Sequence, residues 1–338
     1  MRAAVMRGPG VIEITELDDP VAGPNDAVIR VARSGVCGTD RAIFRGEYFV
    51  TTPMVLGHEY SGTVVKVGDD VRDLREGDRV VVDPNVVDDD CFFCRRGHSH
   101  LCRGLSPLGV ARSGGFAELS VVPARYLYVI PDELSLADAA LVEPLACCIR
   151  GIDQAAIVAG DTVVVAGAGP IGCLLIQLAR LGGASHIVSI EPNESRHEFA
   201  RRAGADAACT PREAPAAMAR WRGVIGADVV IEASGNLESA ERSFDIVRRG
   251  GTIVLFGVYP EGRSISVSPF RINEDELRVV GSLNNPNTHS RALDLLGTGR
   301  VSLDGIVTDV LPLDDVAAAM DLGNFVAPGK IAIDLGAS

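Results

Sequence analysis

The chain has 338 residues, of which 47% are hydrophobic and 23% charged, and its formal net charge is −13. A chain this long is expected to form two domains with a sizeable core. The negative charge argues against a nucleic acid or an anionic membrane as partner, because neither would meet a basic surface. Eight cysteines without an apolar leader segment indicate a reducing compartment, so the cytoplasm is the expected location.

The first part of the chain, to about residue 145, predicts a domain of many short β-strands. Alternating apolar runs such as "DAVIRVARSGV", "SGTVVKVGDDV" and "GDRVVVDPNVV" are bounded by Gly, Pro and Asp. Runs of this kind are typical of strands joined by turns, and they predict a β domain.

From about residue 150 the pattern changes to alternating strands and helices. "DTVVVAGAG" indicates a buried strand, "PIGCLLIQLARLGG" a helix and "HIVSIEP" the next strand. Further on, "LESAERSFDIVRRGG" is predicted as one helix and "TIVLFGV" as the strand after it. The alternation predicts the α/β class with a doubly wound parallel sheet. After that sheet, "THSRALDLLGTG" predicts a helix and "KIAIDLG" a last strand.

A G-x-G-x-x-G motif lies between the first strand and the first helix of this part, and its residues are Gly167, Gly169, Pro170, Ile171 and Gly172. Its glycines allow a tight turn, close approach of the backbone to a pyrophosphate, and close packing of the helix. Glu191 ends the next strand, where a carboxylate accepts ribose hydroxyls and repels a 2′-phosphate, so NAD is predicted rather than NADP. Arg196 leaves the alternative open, because its guanidinium could pair with that phosphate or stack on the adenine.

Three distant segments offer ligands for an open catalytic metal site. "GVCGTD" supplies Cys37, "GHE" supplies His58 and Glu59, and "VEPLACC" supplies Glu143. A catalytic zinc ion takes three ligands of these types and keeps one position for water or substrate. Each residue by itself also has an ordinary structural interpretation, as a buried thiol, a core histidine or a helix-starting carboxylate.

The segment "GHEYSGTVVKVGDDV" matches G-H-E-x2-G-x5-G-x2-V, and on it the chain resembles the zinc-dependent medium-chain alcohol dehydrogenases. "CGTD", "GDRV", "GGFAEL", "EPLA", "GAGPIG" and "EASG" follow the family's order, so the resemblance covers essentially the whole chain. It implies a GroES-like catalytic β domain over residues 1–147, a Rossmann dinucleotide-binding domain over 148–285, and a C-terminal return over 286–338. "YFVTTPMVLGHE" and the Glu at position 143 resemble the sorbitol dehydrogenase branch, which acts on polyols and sugars.

The resemblance also implies a role for each residue of the metal site. Cys37 and His58 would ligate zinc, Glu143 would do so directly or through water, and Glu59 would be an adjacent or transient ligand. Asp40 would accept the other ring N–H of His58 and so fix its tautomer. Zinc would lower the pKa of the bound alcohol, and the carbinol hydride would pass to the nicotinamide.

The substrate end of the site departs from the family in two places. Thr39 stands where the family places the hydroxyl that receives the alcohol proton, but Ala42 replaces the histidine that continues the relay in many relatives. In place of the Arg-Tyr pair that grips the polyol in sorbitol dehydrogenases, "GSLNNPNT" puts Asn284 and Asn285 in the substrate pocket. The pocket is therefore predicted to be polar, with a substrate other than sorbitol.

A second zinc site is predicted in "DDDCFFCRRGHSHLC". The family's structural lobe reads C-x2-C-x2-C-x7-C, which aligns Asp88 with its first cysteine and Cys91, Cys94 and Cys102 with the others. A carboxylate can ligate zinc, although a harder donor should weaken a thiolate-rich site. The alternatives are zinc held by three cysteines and a fourth donor, chiefly Asp88, or an empty lobe with three free thiols.

The sequence thus predicts a zinc-dependent oxidoreductase that moves a hydride reversibly between NAD⁺ and a secondary alcohol of a polyol, cyclitol or sugar. A dehydrogenase of simple aliphatic or aromatic alcohols and a zinc-free quinone or enone reductase are the alternatives. Members of the family that the chain resembles usually form dimers or tetramers, so the resemblance implies a homo-oligomer. The remaining histidines, His186, His197 and His289, have no partner pattern and are predicted to face solvent.

Overall fold

The structure is a computed structural model that describes residues 1–222, 226–325 and 329–336. The chain folds as two compact units, one made of Met1–Ala146 with Asn285–Ser338 and the other of Cys147–Asn284. Each boundary falls one residue before the position proposed from the sequence.

Strands dominate the N-terminal segment, which contains in chain order β1 (Arg2–Gly8), β2 (Val11–Glu16), β3 (Asp26–Gly35), α1 (Gly38–Phe44), β4 (Met54–Val55), β5 (Glu59–Val67), β6 (Arg79–Val82), β7 (Leu119–Pro123), β8 (Leu127–Val129), α2 (Leu136–Ala139) and α3 (Val142–Ala155). Strands and helices then alternate through β9 (Thr162–Ala166), α4 (Pro170–Leu181), β10 (His186–Ile190), α5 (His197–Arg202), β11 (Ala207–Cys209), α6 (Ala214–Arg222), β12 (Ala227–Glu232), α7 (Leu237–Ile246), β13 (Val247–Leu255), α8 (Pro269–Glu274) and β14 (Arg278–Gly281). The C-terminal segment adds α9 (His289–Gly297), β15 (Val307–Pro312), α10 (Val316–Ala319) and β16 (Lys330–Asp334). The predicted change from a strand-rich part to an alternating part is confirmed.

The first unit is built on two sheets. β2, β1 and β4 form one, and the other runs β15-β16-β3-β5-β6-β8 with β7 also paired to β3. Ala27, Ile29 and Val31, alternate residues of β3, pack in one core cluster with Tyr60 and Val64 of β5. The alternation of side chains along a strand explains why these runs read as β in the sequence.

The second unit contains a six-stranded sheet in the order β11-β10-β9-β12-β13-β14, and its paired strands are all parallel. Every residue of β9 and β12 is buried, as expected where helices cover both faces of a parallel sheet. Numbered within the unit, the strand order is 3-2-1-4-5-6, which is that of a dinucleotide-binding Rossmann fold. The α/β prediction is confirmed.

One predicted helix is too long at its C-terminal end. α7 stops at Ile246, and the "VRRGG" that follows belongs to strand β13. Ala227 pairs with Val247, and the register then shifts so that Val229 pairs with Thr252. Gly250 has φ +68°, a conformation that breaks a helix, so the strand absorbs the extra residues as an irregularity.

The described helices include none that is both long and apolar enough to cross a membrane.

Candidate active site

The pairing of two neighbouring strands brings the first ligand candidates together. Gly35 at the end of β3 lies opposite Glu59 at the start of β5. Cys37 follows β3 and His58 precedes β5, so the antiparallel pairing places both beside Glu59. The Cys37 sulfur, a ring nitrogen of His58 and a carboxylate oxygen of Glu59 all lie within 4.8 Å of one another. A thiol, an imidazole and a carboxylate at this separation can share one metal ion.

Asp40, in the first turn of α1, connects the two ligand-bearing loops. Its carboxylate is fully buried and accepts the N–H of Cys37 at 2.8 Å and the N–H of Gly57 at 3.2 Å. The Nδ1 of His58 lies 3.5 Å from Asp40 Oδ1, which is long for a hydrogen bond. Asp40 therefore fixes the backbone on both sides of the site and lies close to the ring that the sequence assigned to it.

The electrostatics of these groups favour a cation. Burial by itself would lower the pKa of His58, but the negative groups of Asp40 and Cys37 outweigh it and raise that pKa well above its ordinary value. Burial would raise the pKa of Asp40, yet the neighbouring His58 and the two backbone N–H donors hold it below its ordinary value. A site that attracts a proton onto imidazole through nearby anions also attracts a metal ion, which competes with that proton. The donor set thus fits the catalytic zinc that the sequence indicates.

Glu59 has a partner that the sequence reading missed. Lys330, the first residue of β16, is 6% exposed and forms an ion pair with the Glu59 carboxylate, which is 1% exposed. Gly35 makes this possible, because a Cβ there would lie 2.2 Å from Glu59 Oε2. A single lysine at the end of a long chain carries no sequence signal for this contact. Glu59 is therefore charge-compensated within the protein, in keeping with an adjacent or transient metal ligand.

Glu143, in the first turn of α3, is buried but lies outside the group of atoms within 4.8 Å. Its Oε1 accepts a hydrogen bond of 2.8 Å from Nδ2 of Asn285. Asn285 is 1% exposed, and its Oδ1 accepts a 2.7 Å hydrogen bond from Asn85. Both ends of the Asn285 amide thus bond to protein groups, and its assignment to the substrate pocket stays a prediction. Asn284 is half-buried, with φ +52°.

Thr39 is half-buried, and its hydroxyl lies 3.8 Å from the sulfur of Cys37. The hydroxyl expected to receive the substrate proton is thus next to the thiol that is predicted to bind the metal. Arg41 points elsewhere, since its Nε donates to the carbonyl of Ala319 at 3.3 Å.

The cysteine lobe brings together the four residues that the sequence aligned with a zinc site. One ligand atom from each of Asp88, Cys91, Cys94 and Cys102 lies within 4.8 Å of all the others. Two backbone N–H groups, of Cys91 and Asp90, donate to Asp88 at 3.0 Å and lower the pKa of its carboxyl to about 2. A Cβ at Gly104 would come within 2.9 Å of Asp88 Oδ2, so the glycine leaves room for the carboxylate.

The thiols of this lobe are also consistent with a metal centre. The sulfurs of Cys91 and Cys94 are 3.6 Å apart, and burial together with the nearby Cys102 sulfur raises the pKa of Cys94 to about 12. Without a cation, these surroundings therefore oppose ionisation of Cys94, whereas backbone N–H donors lower the pKa of Cys91. A bound zinc ion would supply positive charge that favours both thiolates. The geometry fits the alternative in which Asp88 completes the ligand set.

In the second unit, the glycine motif forms the turn between β9 and α4. Gly167 has φ +108°, and a Cβ at Gly172 would lie 2.0 Å from the Gly167 carbonyl oxygen. Gly169 caps α4, and a Cβ on it would meet nothing within 4 Å, which leaves the helix N-terminus open to an anion. Pro170 and Ile171 open the helix at its first positions, where proline is suited.

Glu191 follows β10 and supports the same turn. It is 5% exposed, and its carboxylate accepts the N–H of Ala168 at 2.8 Å and that of Asn193 at 2.9 Å. Arg196 is half-buried in the following 3₁₀ turn. A carboxylate at the end of the second strand of this fold is placed to accept ribose hydroxyls.

Two of the histidines expected in solvent are buried instead. His197 is 8% exposed and its Nε2 lies 2.8 Å from the Glu191 carbonyl oxygen, while His289 is fully buried. The Nδ1 of His289 lies 3.5 Å from Asp83, and its ring stacks on Tyr128 with centroids 5.2 Å apart. The prediction failed because both partners of His289 lie far away in the sequence.

Comparison with known proteins agrees with this geometry. Residues 23–132 match the model of the alcohol dehydrogenase GroES-like domain, and residues 170–298 match that of the zinc-binding dehydrogenases. The chain belongs to the zinc-binding dehydrogenase family, and the resemblance seen in the sequence is confirmed. The fold it implied, a GroES-like domain with a Rossmann domain, is confirmed as well.

Individual relatives extend along nearly the whole chain. D-arabinitol dehydrogenase 1 of Uromyces fabae is 34% identical over 95% of this chain and 93% of its own. An L-threonine 3-dehydrogenase of Anaeromyxobacter dehalogenans is 35% identical over 94% of this chain and 93% of its own. The crystal structure of a candidate zinc-binding dehydrogenase from Sinorhizobium meliloti 1021, bound to NADP, is 37% identical, covers 98% of both chains and superposes with a TM-score of 0.95.

Proposed function

We propose that this protein catalyses the reversible oxidation of a secondary alcohol on a polyol, cyclitol or sugar, using zinc and NAD. The observation that carries the proposal is the convergence of Cys37, His58 and Glu59 donor atoms within 4.8 Å, in a chain of the zinc-binding dehydrogenase family. A zinc-free quinone or enone reductase would have no use for this buried donor set.

The residues of the first unit divide the catalytic work. Zinc bound at Cys37 and His58 would act as a Lewis acid toward the oxygen of the substrate alcohol. Asp40 keeps the two ligand loops in register through the N–H groups of Cys37 and Gly57. The Thr39 hydroxyl, next to the Cys37 sulfur, is suited to accept the alcohol proton. Because Ala42 has no titratable group, that proton leaves Thr39 by a route that does not use this side chain.

The second unit binds the coenzyme that accepts the hydride. We propose that NAD is preferred over NADP, since a 2′-phosphate would meet the buried carboxylate of Glu191. Because the similar Sinorhizobium meliloti structure is bound to NADP, the experiment below measures both coenzymes. Arg196 is the residue of this chain that could offset the repulsion.

The choice of a polyol rests on Glu143, which takes the place of a cysteine ligand, and on the D-arabinitol dehydrogenase relative. A hydroxy amino acid is the second candidate, because the L-threonine 3-dehydrogenase relative is similar over as much of the chain. The two substrate classes differ in charge: an amino acid brings a carboxylate and an ammonium group, whereas a polyol is neutral. A substrate screen therefore separates them directly.

The experiment is a screen for NADH and NADPH formation across arabinitol, altritol, other polyols, cyclitols, L-threonine and short alcohols, with and without zinc. Oxidation of a polyol by NAD, lost after zinc removal and restored by its return, would support the proposal. Turnover of enones or quinones that persists without zinc would contradict it. Cys37→Ser should lose turnover while binding NAD normally, and Cys209→Ser, which changes a thiol outside both donor groups, should retain it.

We also propose a structural zinc in the lobe of Asp88, Cys91, Cys94 and Cys102, a homo-oligomeric assembly of two or four chains, and a cytoplasmic location. The convergence of the lobe's four donors supports the structural zinc, and the oligomers usual in the family support the assembly. The cysteine content supports the location. Sedimentation equilibrium decides the assembly, since a monomer at micromolar concentration would contradict it.

A further inference from the structure

Four polar side chains of the first unit are joined by a row of hydrogen bonds that ends at Glu143. Asp83 and Asn85 directly follow β6, and Asp83 Oδ1 accepts hydrogen bonds from the backbone N–H and the side-chain Nδ2 of Asn85, at 3.0 and 3.1 Å. The same Nδ2 donates to Asn285 Oδ1 at 2.7 Å, and Asn285 Nδ2 donates to Glu143 Oε1 at 2.8 Å. The four residues thus form one continuous hydrogen-bonded chain.

The donor and acceptor roles in this row of hydrogen bonds are set by the carboxylates at its two ends. An ionised carboxylate only accepts hydrogen bonds, so Asp83 obliges Asn85 to present its NH₂ group. That NH₂ group obliges Asn285 to present its oxygen, which leaves the NH₂ group of Asn285 for Glu143. Reversal of the Asn285 amide would set donor against donor and oxygen against oxygen. The orientation of the Asn285 amide is therefore determined by the protein.

A second tether keeps Asn285 in place. The hydroxyl oxygen of Thr288 lies 2.8 Å from the Ala146 carbonyl oxygen and 2.9 Å from the Asn285 carbonyl oxygen, so its single proton is shared between the two acceptors. Both Asn285 and Thr288 are buried, at 1% and 2% exposure. The segment 285–288 is thus attached to the first turns of α3 at two points, one of which is the Glu143 side chain.

The partners of Glu59 and Glu143 give the two carboxylates different properties. Glu59 pairs with the ammonium group of Lys330, so its charge is compensated. Glu143 accepts a hydrogen bond at Oε1 from the neutral amide of Asn285, which orients the carboxylate.

We propose that Asn285, oriented by Asn85, is a positioning residue that holds the Glu143 carboxylate for the catalytic zinc centre, and that it does not bind substrate. The inference rests on the proposed function, because it assumes zinc at Cys37 and His58. Glu143 lies outside the 4.8 Å donor group. The hydrogen bond from Asn285 sets the position from which the Glu143 carboxylate acts on the metal, directly or through water. Loss of such a supporting hydrogen bond typically weakens a metal site about 10–100-fold.

The test measures zinc release as well as turnover. Zinc-loaded protein is mixed with an excess of a chromophoric chelator, and the phase that is missing in Cys37→Ser is assigned to the catalytic site. Asn285→Ala should speed that phase by about 10-fold or more. Asn285→Asp should speed it further, because a second carboxylate would face Glu143. The control Asn287→Gly changes an exposed asparagine of the same segment with φ +58° and should leave the phase unchanged.

Two further variants separate positioning from general damage. In a Glu143→Ala background, Asn285→Ala should add little, because Glu143→Ala already removes the carboxylate that Asn285 holds. Asn85→Ala should speed release by a smaller factor than Asn285→Ala, since it removes only the orienting contact. If Asn285→Ala fails to fold, as judged by its thermal melt, Asn85→Ala carries the test, and unchanged zinc release in it would overturn the proposal.

Steady-state kinetics distinguish the rival role. A substrate-binding Asn285 would raise the KM for the alcohol and leave zinc release unaltered, and that result would overturn the inference. If no alcohol is oxidised by the wild type but zinc release still responds to Asn285→Ala through Glu143, the proposed reaction fails and the positioning role stands. If polyol turnover needs zinc but the rate of zinc release is the same in Asn285→Ala and the wild type, the positioning role alone fails.

Discussion

The carboxylate of Asp40 offers the sharpest test of how the metal site is built. Asp40→Asn preserves the shape of the side chain but replaces one acceptor oxygen by an NH₂ group. In the wild type the two oxygens accept the N–H of Cys37 and the N–H of Gly57, and the residue is fully buried. An asparagine can therefore serve only one of the two loops, and it leaves the other N–H facing a donor.

The expected size of the effect follows from the one backbone N–H group that loses its acceptor in Asp40→Asn. A buried N–H left without an acceptor costs about 1–3 kcal/mol. If the cost falls on the arrangement that binds zinc, it corresponds to a loss of about 5–150-fold in affinity, since about 1.4 kcal/mol is a factor of ten. The lost negative charge next to His58 acts in the same direction. We expect the catalytic-site Kd for zinc to rise by at least about tenfold, with the cysteine lobe unaffected.

The assay is zinc competition on metal-free protein, together with thermal unfolding with and without zinc. The control Asp73→Asn changes an exposed loop carboxylate and should match the wild type. If the catalytic-site Kd of Asp40→Asn stays within about twofold of the wild type, the proposed tether between the two ligand loops is wrong.

Three other predictions concern separate parts of the chain. Glu191→Gln should reduce the preference for NAD over NADP by about tenfold or more, as measured by the ratio of kcat/KM values, and an unchanged ratio would remove the carboxylate from the ribose site. Purified protein should hold zinc at both donor groups, and Asp88→Ala should lose the metal of the cysteine lobe first on dialysis, whereas equal retention would show that another donor completes that site. Burial lowers the pKa of His289, although Asp83 opposes the shift, so the unfolded chain takes up a proton that the folded protein refuses. Stability is therefore lost as the pH falls below the ordinary value of 6.5, and His289→Gln should flatten this part of the urea-midpoint profile, unlike the control His186→Gln.

The local pattern of the sequence predicted most of the fold. Period-2 alternation marked strands such as β3 and β5, and the change to alternating strands and helices marked the parallel sheet. The main error was local too: "VRRGG" continues the periodicity of α7, but the left-handed Gly250 places it in β13. Periodicity identifies the type of an element better than its end.

The metal sites could be predicted in part because their ligands lie in short motifs. Asp88 and the three cysteines of the lobe are close in sequence, so spacing alone suggested their convergence, and the structure brings their donors together. Glu143 comes from the separate segment "VEPLACC", and the structure places it outside the donor group of Cys37, His58 and Glu59, with a hydrogen bond from Asn285. A motif identifies a ligand type, but it does not fix which atoms the ligand touches.

The sequence by itself determined the class of the protein, because strand and helix periods, the glycine turn and the Cys, His and Glu motifs are all encoded over short distances. Only the tertiary structure decided how the charges at the site are distributed: that Lys330 compensates Glu59, and that a buried amide holds Glu143. These contacts join residues that are 271 and 142 positions apart in the chain, and a single lysine or asparagine has no local pattern. Their energies depend on burial and on partners that exist only once the strands and loops have come together.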